Sequence, residues 1–308
     1  MIDRRTFITG AGAALTIPET ALSEERYMER SGMNAYRAFD PERIAQELGS
    51  DIFTRTVSFV GVRLKCLVDV STSIHENASV REYTLQKQGI GEAIRSDTVK
   101  NAIAAQGGIA FSLSEFHDYP LSRIPWAILE TEEDADMMSS LIQAMPIFYD
   151  RLGTGIARGL RRALTDFQNC PHIGERSVLD ISGDGPENKE GNTHIDAQGQ
   201  HHYTGGEIIV LNAAQRLWQH GITCNGITLP TDPNTDLPNG INDISEYYET
   251  YIRTPAGQSF IDQYGYVSPL REGFVMAVNQ WPDFKDAMQE KLRLEIMGQL
   301  PTPIRSFG

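Results

Sequence analysis

The chain has 308 residues, 27 Lys+Arg against 41 Asp+Glu for a formal net charge of −14, and 40% hydrophobic residues. That is a globular composition, and its acidic balance argues against a general nucleic-acid binder, which needs a cationic face to displace phosphate counterions. No apolar run approaches the ~20 residues that carry a helix across a bilayer, and Cys66, Cys170 and Cys224, with no CxxC spacing, supply neither a disulfide framework nor a thiolate zinc site.

In chain order, the first feature is a pair of arginines, Arg4-Arg5, followed by Thr6-Phe7-Ile8 and a short, weakly apolar stretch to Ile17. A positive segment before a short apolar one describes an export signal, and adjacent arginines are read by the twin-arginine pathway. Residues 1–22 therefore read as a twin-arginine export signal and imply a periplasmic destination, with a cytoplasmic chain as the alternative. Glu19-Thr20-Ala21 departs from the small residues preferred before a cleavage point. Gly10-Ala11-Gly12 is no dinucleotide fingerprint, since no strand precedes it and the third glycine is missing.

Residues 23–58 are charged and helix-prone, with Asp40 placed to cap a helix that has Pro41 at its first position. A first core strand is expected over 63–70, apolar on both faces as in a buried parallel sheet. A polar helix over 78–95 and a strand over 108–113 follow. A third strand over 124–129 carries Pro125, which suits a sheet edge. Helices are expected over 132–144 and 155–167, the second with Ile156, Leu160, Leu164 and Phe167 at helical spacing. A fourth strand over 177–182 closes on Gly183-Asp184-Gly185. Beyond a polar loop over 186–206 come a helix marked by Ile209, Ala213 and Leu217, and a fifth strand over 222–227. A Pro/Asn/Asp-rich excursion at 229–242 precedes a helix over 243–252, a short sixth strand over 264–267 and a terminal helix over 283–297. Alternating strands and helices from about residue 60 predict an α/β, doubly wound, mostly parallel sheet flanked by helices. Ligands of such sheets bind outside the carboxyl ends of the strands.

The chemistry gathers at those ends. Asp69-Val70-Ser71-Thr72-Ser73 follows the first core strand and can aim three oxygens the same way. Thr154, between Gly153 and Gly155, opens the amphipathic helix, and Asp184 closes the fourth strand. A hard cation such as Mg²⁺ takes six oxygens in near-octahedral geometry and keeps several waters, which two carboxylates and three hydroxyls suit. The plain alternative for each piece is a turn in which Ser71, Ser73 or Asp184 satisfies backbone N–H groups. Together and in this order, D-x-S-x-S, the later Thr and the later Asp resemble the metal ion-dependent adhesion site of von Willebrand factor A-type domains, a Rossmann-like fold. The resemblance covers roughly residues 60–297 and is nearest to a bacterial, often exported subgroup whose first strand reads like LVDVSTSI and whose fourth ends in ISGDG. Tyr247-Tyr248 followed by Pro255-Ala256-Gly257 is a looser version of a further segment of that subgroup.

The resemblance implies that Ser71, Ser73 and Thr154 ligate Mg²⁺ or Mn²⁺ through their hydroxyls. It implies that Asp69 and Asp184 bind it largely through water. It implies a non-enzymatic binding module over 59–300, followed by a tail over 301–308, that grips an exposed Asp or Glu of a protein partner through the metal. Two alternatives belong to other classes: a metal-dependent hydrolase of phosphoesters, with Asp69 and Asp184 holding the ion, and a cytoplasmic partner of an ATPase.

Other signals read more simply. Gly153-x-Gly155-x-x-x-Gly159 lacks the spacing of a phosphate loop, and no GxxxxGK[ST] or GxSxG occurs. His194, His201 and His202 share a polar loop but match no standard zinc spacing. Glu115, His117 and Asp118 could tune the strand-end site or lie on the surface. Arg158, Arg161 and Arg162 read as a solvated helix face, Trp126, Trp218 and Trp281 as core, and Cys66 and Cys224 as inert buried thiols.

Overall fold

The computed structural model describes residues 6–8, 14–16, 38–57, 59–71, 81–146, 153–195, 201–231, 235–238, 240–262 and 264–301. The Arg4-Arg5 pair, most of the segment before Phe39, and Ser73 lie outside them. The amino-terminal extension contributes one described helix, α1 (Pro41–Glu47), whose first N–H groups are capped by the Asp40 carboxylate through Arg43 N at 3.0 Å.

The centre is a six-stranded sheet: β1 (Phe59–Asp69), β2 (Ile109–Phe116), β3 (Leu121–Leu129), β4 (Ile173–Gly183), β5 (Ile222–Thr228) and β6 (Val275–Ala277). Their spatial order is β6-β5-β4-β1-β2-β3. Every pairing is parallel except β2 with β3, which form an antiparallel hairpin. β3 is thus an edge strand, where Pro125 forfeits no ladder bond on the open side.

Between the strands run α2 (Arg81–Ile94), α3 (Asp97–Ala105), α4 (Glu132–Ala144), α5 (Ile156–Gln168), α6 (Gly206–Gln219), α7 (Ile244–Tyr251) and α8 (Phe284–Met297). Successive side chains of β1 serve different layers, as the two-residue period of a strand requires. Val62, Leu64, Cys66 and Val68 pack in the core built with α2, α3, α4 and α8, whereas Leu67 joins Leu179 and Ile181 under α5, α6 and α7. The architecture is a doubly wound α/β fold, a mostly parallel sheet with helices on both faces.

The sixth strand falls in a different place from the one expected. Residues 264–267 belong to a separate antiparallel hairpin, Ser259–Ile261 with Val267–Pro269, and β6 is Val275–Ala277. Tyr264, Tyr266 and Val267 are exposed, so their β-forming side chains gave a strand signal without a sheet face to bury. The polar segment after β4 also holds a short hairpin, Asn192–Ile195 with His201–Thr204.

Two buried cations tie helices to the sheet. Lys291 of α8 is fully buried between Asp180 of β4 and Glu295, and Asn225 of β5 donates to Glu295 at 2.9 Å. On the opposite face, Lys65 pairs with Asp166 of α5 at 2.9 Å and donates to Ser114 at 2.8 Å.

Candidate functional site

β1 ends inside the protein, so the first polar residue of the motif is buried rather than presented on a loop. Asp69 is wholly inaccessible to solvent. Its Oδ1 accepts the N–H of Ser71 at 2.8 Å, and the Ser71 hydroxyl adds a further bond to the same carboxylate. This turn ends the strand. Among the described residues, Oδ2 has no hydrogen-bond partner.

β4 runs parallel beside β1 with Val68 opposite Ser182, which brings Gly183 next to Asp69. A Cβ at position 183 would lie 2.9 Å from Asp69 Oδ2 and 2.3 Å from the hydroxyl of Tyr248. Only glycine permits that approach. Tyr248, on α7, is also fully buried, and among the described residues its hydroxyl likewise has no hydrogen-bond partner. Two orphaned polar atoms therefore converge on one point at the end of the sheet.

Asp184 follows Gly183 and is itself buried. Burial pushes the Asp69 carboxyl well above the ordinary carboxylate range, and the neighbouring charge of Asp184 pushes it further; the bonds from Ser71 work against both. The Tyr248 phenol is raised by burial and then by Asp69 and Asp184.

Thr154, buried at the entry to α5, faces the same turn: a Cβ on Gly185 would lie 3.7 Å from its Oγ1. Its backbone is held from both sides by Asn188, whose Oδ1 accepts the Thr154 N–H at 2.7 Å while the Asn188 N–H donates to the Thr154 carbonyl at 3.0 Å. Gly153 N donates to Asp118 Oδ1 at 2.7 Å, and Gly155 N to the carbonyl of His117 at 3.1 Å. The Glu187 carboxylate accepts N–H bonds from Ala157, Lys189 and Glu190, fastening the loop after β4 onto the first turn of α5. Gln86 of α2, fully buried, donates to the Asp69 carbonyl at 3.4 Å and accepts from Ser182 Oγ at 3.4 Å, joining the ends of β1 and β4.

Of the five residues singled out in the sequence, Asp69, Ser71, Thr154 and Asp184 are buried at neighbouring strand and helix ends. Ser73 lies outside the described residues. Among the described residues no three His, Cys, Asp or Glu side chains form a metal-holding group. The donors gathered here are two carboxylates with hydroxyls, an all-oxygen set that a divalent cation can accept.

Residues 59–300 match the family described as "Protein of unknown function (DUF1194)". The chain belongs to that family. No curated protein is significantly similar to it in sequence. Among solved structures, it is similar to the pilus adhesin SpaC from Lactobacillus rhamnosus GG, with a TM-score of 0.53, 12% identity and 79% of this chain and 31% of that one covered. It is similar to proximal thread matrix protein 1 from the mussel byssus, with a TM-score of 0.50, 16% identity and coverage of 78% and 49%. It is also similar to a von Willebrand factor type A structure from Catenulispora acidiphila, with a TM-score of 0.46, 15% identity and coverage of 79% and 44%. The chain spans about half or less of each of these proteins.

Other residues of this DUF1194 chain that the sequence left open have evident partners. Glu115 pairs with Arg123 in the interior and Tyr83 donates to it. His117 accepts from the Tyr119 N–H through Nδ1, and Asp118 pairs with Lys189 at 3.0 Å. Arg158 and Arg161 both pair with Glu190, and Arg162 with Asp166. Trp218 is core, while Trp126 and Trp281 pack at its margin. Cys66 and Cys224 are buried, and burial raises both thiols, Cys224 to about 12. The backbones of His194 and His202 pair across the short hairpin; their side chains lie outside the described residues.

Gln86 and the roles of Tyr248, Glu187 and Asn188 carry no signal in the residues alone. The Tyr247-Tyr248 pair was visible as a motif. Gln86 sat in a polar helical stretch, and Glu187 and Asn188 in a polar loop, with nothing local to distinguish them.

Proposed function

We propose that the protein is a non-enzymatic, metal-dependent binding module that holds Mg²⁺ or Mn²⁺ at the ends of β1 and β4. The orphaned, fully buried Oδ2 of Asp69 carries this reading. A buried carboxylate oxygen without a partner costs about 1–3 kcal/mol or more, and a cation between Asp69 and Asp184 would offset that cost. Ser71, Ser73 and Thr154 would supply hydroxyl ligands, with Asp69 and Asp184 acting largely through water. Neutral direct ligands leave a bound divalent ion electrophilic, able to accept a carboxylate oxygen from an Asp or Glu of a partner protein. The chain's own work is to hold the hydroxyls in place: Asn188 and Glu187 fix the Thr154 turn, and Gln86 fixes the ends of β1 and β4.

The module occupies residues 59–300 in this reading, after an export signal over 1–22 and an extension over 23–58 and before a tail over 301–308. The twin-arginine pair at Arg4-Arg5 supports export to the periplasm. The similarity to a pilus adhesin is compatible with a protein-binding role outside the cytoplasm. Neither the hydrolase nor the ATPase-partner reading has a specific observation in its favour.

The test is calorimetric titration of the protein with Mg²⁺ and Mn²⁺ beside the Ser71→Ala and Asp69→Ala variants. Saturable binding in the wild type, lost in both folded variants, is the expected result. Unchanged metal affinity in Asp69→Ala would remove the assignment.

A further inference from the structure

A concave site lies at the end of the sheet away from the Asp69 turn. A cavity of about 490 Å³ opens beside the start of β4 and β5, bordered by Ser177, Val178 and Thr223. Val178 and Gly183 are five residues apart on one strand, so roughly 16 Å of β-structure separates the cavity from the Asp69 turn. Its size falls within the roughly 300–1,000 Å³ of small-molecule sites.

The wall is apolar on one side, where Phe260, Leu270 and Phe274 face it, and cationic on another. Arg176 of β4 donates to the carbonyls of Glu295 and Ile296, and Arg271 donates to that of Gly298, so both guanidiniums gather at the carboxyl end of α8. One point beside Gly298 lies 2.7 Å from Arg271 Nη1 and 3.1 Å from Arg176 Nη1. Burial and the adjacent Arg271 charge both lower the Arg176 pKa. The helix carbonyls use one hydrogen-bond donor of Arg271 and two of Arg176, out of five on each guanidinium. The glutamates bordering the cavity offset the pair only in part, since the Arg271 charge on Arg176 outweighs that of Glu175. Glu272 is paired with Arg253, Glu295 with Lys291, and Glu175 is an exposed residue acting on Arg176 only through its charge.

We propose that this cavity binds a small amphipathic carboxylate of the fatty-acid class, with its carboxylate held by Arg176 and Arg271 and its apolar body against Phe260, Leu270 and Phe274. Guanidinium forks match carboxylate geometry, and a carboxylate placed between them relieves their mutual repulsion. The site is independent of the metal-binding reading, since no residue is shared.

The experiment is calorimetric titration of the full chain, in chelator so that no metal can recruit a carboxylate, with three probes: decanoate, its neutral amide, and acetate. The expected result is saturable one-site binding of decanoate, with the amide and acetate each at least tenfold weaker. Arg271→Gln, at an exposed position, is expected to weaken decanoate at least tenfold while the variant keeps a cooperative melting curve. Absent decanoate binding would overturn the proposal, as would equal binding of the amide or indifference to Arg271→Gln. Acetate binding as tightly as decanoate would overturn the apolar half of it.

Discussion

Replacing Asp69 with Asn separates the two things its carboxylate does. The Asn side-chain oxygen can still accept the Ser71 N–H that Oδ1 accepts at 2.8 Å. The orphaned Oδ2 becomes a neutral amide, beside a Tyr248 hydroxyl that also lacks a partner. Removing one buried unsatisfied charged oxygen relieves about 1–3 kcal/mol. In chelator, at a pH above the folded Asp69 pKa, the variant is therefore expected to be more stable than the wild type by that amount. At this chain length that is a rise of roughly 2–6 °C in melting temperature. The raised carboxyl of folded Asp69 sets the pH dependence. Its contribution to stability is complete at acid pH and is lost as pH rises through the folded pKa, so the advantage of Asn grows with pH and vanishes in acid. Saturating Mg²⁺ or Mn²⁺ should reverse the order: wild type gains about 2.7 kcal/mol at a hundredfold excess over Kd, and the variant gains nothing. Thermal and urea unfolding with and without metal measures all of this. A variant less stable than wild type in chelator would refute the reasoning and make Asp69 a structural turn residue.

Gly183→Ala places a Cβ 2.3 Å from the Tyr248 hydroxyl and should cost about 1–3 kcal/mol. Tyr248→Phe removes the clashing oxygen, so a double-mutant cycle should recover at least about 0.5 kcal/mol of coupling, and strict additivity would show that the two do not meet. Asn188→Ala removes the acceptor that holds Thr154 and should weaken divalent binding by roughly tenfold or more in calorimetry, the scale of losses from residues supporting metal ligands. Glu295 is pushed up to about 7, by burial first and by Asp180 next. Its contribution to stability is full below the ordinary carboxylate pKa and is lost as pH rises through about 7, so unfolding free energy in chelator should fall across that window and Glu295→Gln should flatten the fall. A Glu295→Gln profile identical to wild type would rule out this source.

The strands of the sheet were legible because each is apolar enough to be buried on both faces, and Pro125 could sit only on an edge. The short sixth strand was not. Val275-Met276-Ala277 carries no pattern longer than three residues, while exposed Tyr264, Tyr266 and Val267 imitate one. What selects the true strand is pairing with β5, with Val275 opposite Gly226, a long-range contact that local propensity does not encode.

The candidate site divides the same way. Asp69 and Ser71 are two residues apart, so their turn is written locally. Glycines flanking Asp184 and Thr154 mark tight backbone there. The sequence by itself thus determined the sheet class, the strand ends and the oxygen-rich chemistry at them. Only the tertiary structure decided that Gly183 lies against Asp69, that Tyr248 reaches the same point from α7, that Gln86 spans two strand ends, and that Asn188 grips Thr154. The reason is register. Parallel pairing of β1 with β4 and the docking of helices against their ends fix positions 17 to more than 100 residues apart to within ångströms, and that alignment comes from burying whole faces of the sheet rather than from any short segment.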